Sequence, residues 1–324
     1  MENWSLTAID REGWDRHWQT ANHCTLPQSW EYGTAMGRAH FCRPGRFVIH
    51  DGQGVVRGMV QFLVRDLPWL GGAIRLNRGP VVCGSSWSPE EQGHFLRALK
   101  TTARCHRWWY LRSAFAWPEG DPVRALLQGQ GFRPATSGMA WGSHLLSLTP
   151  DVAVLRQHLA GKWRNLLVKG ERLGVVVQAG VTAGRWQQLQ THYQDFQRER
   201  GFAGISPKLL DQLIQQQGPL WRIHLLSAHL PTDLSVPVGL LVAIHHGETA
   251  TYLIGLTTGD GRRLQANYLL LWQAILLAKA EGLSWFDLGG VTAETPEGIR
   301  HFKSGLGGKP YQWVGEWVWH GWRG

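Results

Sequence analysis

The chain has 324 residues, of which 43% are hydrophobic and 18% are charged, and its formal net charge at pH 7 is +9. This composition is typical of a folded protein and excludes a disordered chain, and the length is sufficient for two domains. A basic surface attracts phosphates and nucleic acids, so the charge favours a polyanionic partner.

Cysteine usage and apolar runs exclude several other classes of protein. The four cysteines have neither the spacing of a zinc site nor that of a disulfide framework, so we expect no metal. The first residues lack the basic and apolar regions of a secretory signal, and the longest apolar run, 268–280, is too short to span a bilayer. We therefore expect a cytoplasmic protein without a transmembrane segment; peripheral contact with a membrane stays open.

Apolar patterns predict alternating helices and strands in the first half of the chain. The expected elements are two helices within 11–40, antiparallel strands over 46–50 and 55–66, a strand ending at 78–82, a helix over 88–107 and a strand over 108–112. The last helix has the clearest start, because Ser88 is a preferred N-cap, Pro89 suits the first helical position and two acids follow.

The second half repeats this alternation and ends in a tryptophan-rich tail. The expected elements are a single helix over 155–173, a strand from 175, a helix over 185–200, a meander of strands over 221–226, 238–245 and 249–256, a helix from about 267 and a final strand in the tail. Strands that pair mostly as hairpins, with helices between them, predict an α/β (α+β) fold with a mixed, mostly antiparallel sheet in each half.

An internal repeat relates the two halves at a spacing of 176 residues, which places Val123 on Ile299. Further matched pairs are Trp109 with Trp285, Arg124 with Arg300, Gly129 with Gly305, Gly131 with Gly307 and Pro134 with Pro310. Lys303 and Asp287 fall on leucines of the first copy. We therefore predict a degenerate domain over 1–148 and a catalytic domain over 149–324; chance similarity of tryptophan-rich segments is the alternative.

The absence of two common catalytic motifs argues against a serine hydrolase and a P-loop NTPase. The chain has no G-x-S-x-G elbow and no Walker P-loop. Its helix–strand–helix layout is similar to that of the GNAT N-acetyltransferases, which bind the CoA pyrophosphate at a glycine-rich turn before a helix. The equivalent turn here, 258–267, has glycines and arginines at a different spacing, and Asp260 would place a negative charge where phosphates bind.

The chain resembles the FemABX-type aminoacyl-tRNA-dependent peptidyltransferases, which consist of two tandem GNAT-like domains with a cleft between them. The resemblance covers most of the chain and rests on five motifs in the family's order. They are Gln28-Ser29-Trp30, Arg78-Gly79-Pro80, Lys162-Trp163-Arg164-Asn165 with 171–175, Phe286-Asp287-Leu288-Gly289-Gly290, and Phe302-Lys303 with Gly305.

The resemblance implies that a substrate amine attacks an aminoacyl ester on tRNA and that a peptide bond forms. An activated ester needs positioning and a cation where the oxyanion develops, and Lys303 is the family's Phe-Lys lysine. Asp287 would either orient the amine or anchor a neighbouring loop. No cofactor is expected, because aminoacyl-tRNA is the co-substrate; DNA is not an expected partner. The acceptor would be a peptidoglycan precursor or a small peptide or metabolite.

Candidate substrate-binding residues follow from the same resemblance: Gln28, Trp30, Tyr32, Arg38, Arg78, Arg198, Arg200, Tyr252 and Phe302. Two departures from the family's pattern affect the acceptor. Met36 occupies the position of a lysine that contacts acceptor phosphates in cell-wall members, and Arg38 is the nearest cation. Before 201–202 both Arg198 and Arg200 fit the family's arginine.

Cations that would hold the tRNA backbone, which dominates affinity without reading sequence, are Lys162, Arg164, Lys169, Arg172, Arg262 and Arg263. The helical coiled-coil arm of some family members is absent from this sequence. Two other functions stay open: an acyl-CoA-dependent N-acyltransferase of the GNAT fold, and a non-catalytic RNA- or glycan-binding protein.

Overall fold

A computed structural model of the chain describes residues 3–21, 23–136, 140–201 and 204–321. Its strands are β1 Ser5–Ala8, β2 Arg43–His50, β3 Val56–Leu67, β4 Gly71–Gly79, β5 Val81–Val82, β6 Trp108–Phe115, β7 Arg133–Pro134, β8 Gly142–Ser147, β9 Val176–Ala179, β10 Trp221–Leu230, β11 Asp233–His246, β12 Thr249–Thr257, β13 Trp285–Asp287, β14 Lys309–Gln312 and β15 Glu316–His320. Its helices are α1 Arg11–Thr20, α2 Trp30–His40, α3 Pro89–Cys105, α4 Asp121–Gly129, α5 Val152–His158, α6 Gly161–Arg172, α7 Ala183–Arg200, α8 Pro207–Ile214, α9 Gly259–Arg263, α10 Ala266–Ala280 and α11 Glu297–Ser304. No helix in this described part of the chain is long and apolar enough to cross a membrane.

The first compact unit comprises Met1–Gly142, Gln215–Leu220 and Tyr311–Gly324. Its sheet has the order β1-β2-β3-β4-β6-β15-β7, with β5 paired to β3, and only β4 and β6 run parallel among the pairs described. Helix α3 packs against this sheet through Phe95 and Leu99. It begins with the predicted cap, a reciprocal capping box between Ser88 and Glu91 that satisfies two backbone N–H groups.

The second unit comprises Ser143–Ile214 and Trp221–Pro310. Its sheet has the order β14-β8-β13-β12-β11-β10-β9, in which β12 and β13 run parallel. Helix α10 is apolar on nearly all sides, as expected for a buried helix, and it packs between this sheet and α6. The predicted fold class, α/β with mixed, mostly antiparallel sheets, is therefore confirmed.

The internal repeat is visible in the order of the elements. Helix α4 begins at Asp121 and α11 at Glu297, and β7 and β14 begin at the same spacing. The last strand of each copy, however, pairs in the sheet of the other copy: β8 lies between β13 and β14, and β15 lies between β6 and β7. The second unit accordingly begins at Ser143 rather than at residue 149, and 311–324 fall in the first unit.

The prediction of one helix over 155–173 is wrong. The chain forms α5 and α6 with a break at Leu159 and Ala160, both of which have extended backbone angles. The break is stabilised from outside the helix, because the Leu159 side chain is buried in the core and the Ala160 N–H donates to the Gly305 carbonyl at 2.9 Å. It therefore joins the start of α6 to the end of α11.

Candidate active site

Lys303 is a buried cation in the last turn of α11. It is only 6% exposed, and its Nζ donates a hydrogen bond to the Gly290 carbonyl at 2.7 Å. Burial lowers the pKa of Lys303 to about 8, against the opposing effect of the Asp287 carboxylate. An ammonium has three donor hydrogens, and within the described residues Gly290 accepts one of them. The site thus holds a protonatable nitrogen with donor capacity to spare.

The loop that supplies the Gly290 carbonyl is held by Asp287. The Asp287 Oδ1 accepts from the Gly289 N–H at 2.8 Å and lies 2.5 Å from the Ser143 hydroxyl. Gly289 has φ = +72°, and a Cβ there would lie 2.5 Å from the Tyr252 carbonyl, so this position requires glycine. Of the two roles considered for Asp287, these contacts are those of a loop anchor.

His144 is a member of the site that sequence reasoning missed. Its pKa is lowered by burial and by the Lys303 cation, whereas Asp287 acts in the opposite direction. The buried Nδ1 of His144 has no hydrogen-bond partner among the described residues. The lowered pKa keeps the imidazole neutral at pH 7, so its lone pair is available to take up a proton transiently during a reaction. Ser143 and His144 lie before the predicted boundary at 148, and only the placement of β8 in the second sheet brings them to Asp287.

Aromatic residues brace the end of α11. The Trp163 indole N–H donates to the Phe302 carbonyl at 3.0 Å, and its ring stacks on the Phe302 ring at 6.0 Å between centroids. The Tyr252 ring centre lies 5.6 Å from the Lys303 Nζ, and burial raises the pKa of Tyr252 to about 12, so its phenol is neutral. Phe302 and Tyr252, both predicted site residues, therefore lie against Lys303.

Three predicted substrate-binding residues are integrated into the first unit. Gln28 is fully buried, and its amide bonds the backbone of Gln61 and Asn77 at 2.8–3.1 Å. The Arg46 guanidinium covers the Trp30 ring at 3.6 Å, and Arg78 covers the Trp141 ring at 4.0 Å. These contacts stabilise the unit, so any role of Gln28, Trp30 and Arg78 in binding stays a prediction.

The remaining candidates of this group differ in exposure. Tyr32 is half-buried, and burial raises the pKa of its phenol. Arg38 is exposed on α2. Arg198 is exposed and forms an ion pair with Asp195 at 3.2 Å, whereas the side chain of Arg200 lies outside the described part of the chain.

The predicted tRNA-binding cations lie at the surface of the second unit. On α6, Lys162, Lys169 and Arg172 have the spacing of one helix face, and Arg164 projects from another side. Arg262 donates to the Thr257 carbonyl at 3.1 Å, and Arg263 pairs with Asp260. The three cations on one face of α6 are the arrangement best suited to follow a phosphate backbone.

Comparison with known proteins finds one family match, in the second half of the chain. Residues 227–321 match the FemAB family, and this match includes Tyr252, Asp287, Phe302 and Lys303. The FemAB likeness of the sequence is therefore shown for this segment. No curated protein sequence matches the chain.

Several solved structures share the fold of this chain. FemX is 12% identical with a TM-score of 0.77, and the alignment covers 98% of this chain and 97% of that one. A tandem GNAT protein from the clavulanic acid biosynthesis pathway is 14% identical with a TM-score of 0.54 and 99% of each chain covered. L-PGS from Bacillus licheniformis is 11% identical with a TM-score of 0.55, with 98% of this chain and 94% of that one covered.

The FemAB match over 227–321 and the shared fold support a transferase of the GNAT-like, FemAB type. Its candidate active site combines a buried ammonium, a carboxylate-anchored glycine loop and a neutral imidazole. Such a set is suited to acyl transfer, because the ammonium can stabilise an oxyanion and the imidazole can accept a proton from the attacking amine.

Proposed function

We propose that this chain transfers an aminoacyl group from tRNA to an acceptor amine. The acceptor nitrogen attacks the ester carbonyl, a C–N bond forms, and the C–O bond to the tRNA ribose breaks. The proton leaves the amine and is delivered to the departing ribose oxygen. The reaction needs no cofactor, since the ester is already activated.

The buried ammonium of Lys303 carries this proposal. A tetrahedral intermediate places a full negative charge on the former carbonyl oxygen, and a donor in a water-poor site stabilises that charge more strongly than water would. Lys303 has remaining donor hydrogens after its bond to Gly290. His144, whose Nδ1 is buried without a hydrogen-bond partner in the described residues, receives the proton of the acceptor amine.

The acceptor we propose is the amine of a peptidoglycan precursor or of a small peptide. The FemAB match and the fold shared with FemX support the first of these. The face of α6 formed by Lys162, Lys169 and Arg172 would contact the tRNA backbone, because contacts to phosphates position a nucleic acid without reading its sequence. We place the reaction in the cytoplasm, where aminoacyl-tRNA is available.

The turn at 258–265 argues against acyl-CoA as the donor. In a GNAT enzyme, free backbone N–H groups at this turn bind the pyrophosphate. Here the N–H groups of Gly261, Arg262 and Leu264 bond to Thr258 or to Asp260. A Cβ at Gly261 would lie 2.0 Å from the Val238 carbonyl, so the turn is closed against β11. The carboxylate of Asp260 would also repel a phosphate.

The experiment combines purified full-length protein with total bacterial tRNA charged with labelled amino acids, and supplies peptidoglycan precursor or small peptides as acceptors. We expect transfer of label that disappears after ribonuclease treatment. A parallel reaction with labelled acetyl-CoA tests the other donor. Transfer from acetyl-CoA alone would overturn the donor assignment, and absence of transfer from either donor would favour a non-catalytic binding protein.

Lys303→Ala tests the role of the ammonium in the same assay. Loss of one oxyanion partner lowers the rate about 10²–10³-fold. The matched control is Lys309→Ala, because Lys309 is an exposed lysine just beyond the same helix, and this variant should retain the full rate. A decrease of less than tenfold in Lys303→Ala would remove Lys303 from the mechanism.

A further inference from the structure

Three polar side chains from separate parts of the second unit converge away from the Lys303 loop. His224 lies on β10, His245 on β11 and Glu281 directly after α10. The two imidazole rings are 4.1 Å apart between centroids, and each of the three residues offers a ligand atom within 4.8 Å of the other two. The strand register explains this meeting, because His245 pairs with Arg222, two residues before His224 on the same face of the sheet.

We propose that His224, His245 and Glu281 form a binding site for a divalent transition-metal ion, with two imidazole nitrogens and one carboxylate as ligands. The cysteine pattern predicted no metal, but this site uses no cysteine. Its ligands are far apart in the sequence, so spacing rules for metal motifs do not detect it.

The donor atoms lie close enough together for small side-chain movements to place them around one metal ion. The Nδ1 of His245 lies 2.9 Å from the Glu281 Oε2, and the Nε2 of His224 lies 3.4 Å from the Glu281 Oε1. Zinc bonds to nitrogen and oxygen are about 2.0–2.2 Å long, which separates two ligands of a tetrahedral ion by roughly 3.3–3.5 Å. The separation between His224 and Glu281 lies in this range, whereas the shorter one between His245 and Glu281 is a hydrogen-bond distance and would have to lengthen on an ion.

The hydrogen bonding of the cluster leaves one ligand nitrogen, the Nε2 of His224, without a partner among the described residues. The Nε2 atoms of His224 and His245 are both buried, and neither has a hydrogen-bond partner among the described residues. Such groups are costly unless something satisfies them. A metal ion on His224 would satisfy one of these nitrogens directly.

The protonation states also suit a metal. Burial lowers the pKa of His224 and lowers that of His245 to about 4, so both rings are neutral at pH 7. Against the effect of burial, hydrogen bonds from His245 and Arg222 help to lower the pKa of Glu281, so its carboxylate is ionised. Metal ligands must be deprotonated to bind; the Nδ1 of His245 donates its proton to the Glu281 carboxylate, so binding through this nitrogen requires the proton to move to Nε2.

Arg222 is the competing partner for the carboxylate. Its guanidinium lies 3.2 Å from the Glu281 Oε1, but its side chain is 65% exposed, whereas that of Glu281 is 22% exposed. An exposed arginine can turn into solvent at little cost, since surface ion pairs contribute about 0–1 kcal/mol. A bound ion would replace this weak contact.

The chemistry of the donor set selects the class of ion. Imidazole is a poor ligand for Mg²⁺ and Ca²⁺, which prefer oxygen, and a good one for zinc, copper, iron and nickel. Two histidines and one glutamate leave a coordination position for water. Zn²⁺ is therefore the probe, and Mg²⁺ is the negative control.

The experiment titrates Zn²⁺ into the tag-free, chelator-treated protein by calorimetry. The chain has 15 histidines that could bind Zn²⁺ elsewhere, so the number of ions bound per chain is the first readout. We expect one ion per chain, a dissociation constant in the micromolar range or below, and a higher melting temperature with Zn²⁺ but not with Mg²⁺. With Co²⁺ in place of Zn²⁺, a visible absorption band should appear at the same stoichiometry.

Substitution of the proposed ligands tests where the Zn²⁺ ion binds. Glu281→Gln and His224→Asn should weaken Zn²⁺ binding at least tenfold while the circular dichroism spectrum is retained. The matched control is His229→Asn, because His229 is a buried histidine on the same strand whose ring bonds Ser227 instead, and its affinity should be unchanged. Absence of stoichiometric binding overturns the proposal, as does an unchanged affinity in Glu281→Gln.

Discussion

The Lys303 ammonium donates to the Gly290 carbonyl at 2.7 Å from a position that is only 6% exposed. A lysine that is buried with one hydrogen bond is stabilised less than it would be in water, because desolvation penalises its charge. A purely structural role would be filled better by an apolar residue. The burial of this charge therefore has measurable consequences for both stability and rate.

Lys303→Met should remove activity without weakening the fold. The pKa falls from 10.5 to about 8 on folding, which corresponds to about 3 kcal/mol of destabilisation of the charged form. Methionine lacks this cost but leaves the Gly290 carbonyl unpaired, a loss of about 1–3 kcal/mol. We expect a free energy of unfolding at pH 7 that is equal to the wild-type value or about 1–2 kcal/mol higher, measured by urea denaturation.

The pH dependence of stability provides the check on that result. Because the Lys303 pKa is lower in the folded chain, the unfolded chain binds more protons between about pH 8 and 10.5. The wild-type protein should therefore become more stable relative to Lys303→Met as pH rises through that window. A variant that loses more than 1 kcal/mol at pH 7 would instead assign Lys303 a structural role.

The rate should decrease as pH rises through about 8. An oxyanion partner must be protonated, and Lys303 loses its proton near that pH. The measurement is kcat/KM for aminoacyl transfer between pH 6 and 9.5, which reports ionisation of the free enzyme, corrected for spontaneous hydrolysis of the ester. A rate that is constant across this range would contradict the assignment.

Asp287→Asn tests whether the decrease in rate above about pH 8, the alkaline limb of the pH–rate profile, is caused by deprotonation of Lys303. The Asp287 charge raises the pKa of Lys303, so its removal should move the limb to lower pH. Asparagine keeps an oxygen that can accept from Gly289 and Ser143, and the loop should persist. In Lys303→Arg the limb should disappear from the measured range, because a guanidinium stays protonated. An unmoved limb in Asp287→Asn would assign it to another group.

Local signals in the sequence predicted the helices and strands well, but they could not predict which strands pair across long sequence separations. The start of α3 depends on Ser88, Pro89 and Glu91, which are neighbours in the chain, and the structure shows all three in the predicted roles. The exchange of β8 and β15 between the two sheets depends on which edge each strand meets. Hydrophobic alternation is the same in either sheet, so it contains no information about that choice.

The candidate site likewise combines residues that are close together in the sequence with residues that are remote from them. Lys303 and the Asp287–Gly290 loop lie within one short stretch, and the internal repeat and the resemblance to the FemABX type both point to them. Ser143 contacts Asp287 across 144 positions of the sequence, and His144 comes with it. The break between α5 and α6 was missed for a related reason, because its stabilising partner, Gly305, is remote in the chain.

Gly305→Ala should damage the site through Trp163. A Cβ at position 305 would lie 2.7 Å from the Trp163 Cδ1, although the backbone there, at φ = −68°, accepts alanine. The indole must therefore move, which disturbs its bond to the Phe302 carbonyl next to Lys303. We expect about 1–3 kcal/mol of destabilisation and a lower kcat, measured by thermal unfolding and by the transfer assay.

Gly298→Ala is the matched control for Gly305→Ala. Gly298 lies on the same helix, and a Cβ there meets open space. Alanine is favoured over glycine within a helix by up to about 1 kcal/mol, so stability should be equal or higher and the rate unchanged. Equal effects of the two substitutions would mean that Trp163 does not position the end of α11.

In the first unit, Arg11→Met should leave a buried carboxylate without its cation. Arg11 lies 2.7 Å from Glu31, whose side chain is 6% exposed against 32% for Arg11, and burial raises the pKa of Glu31. Allowing for that partial exposure, we expect a loss of about 2 kcal/mol at pH 7. Without Arg11 the folded pKa of Glu31 rises further above the unfolded value, so stability is lost as pH rises through the folded pKa. The loss of stability in Arg11→Met should therefore be smaller at pH 5 than at pH 7.

The matched control is Arg16→Met, which breaks an exposed pair with Glu12 on the same helix. It should change stability by less than about 0.5 kcal/mol at both pH values. Denaturant titrations of both variants at the two pH values make the comparison, and a deficit in Arg11→Met that does not depend on pH would show that lost packing, rather than the Glu31 charge, causes it.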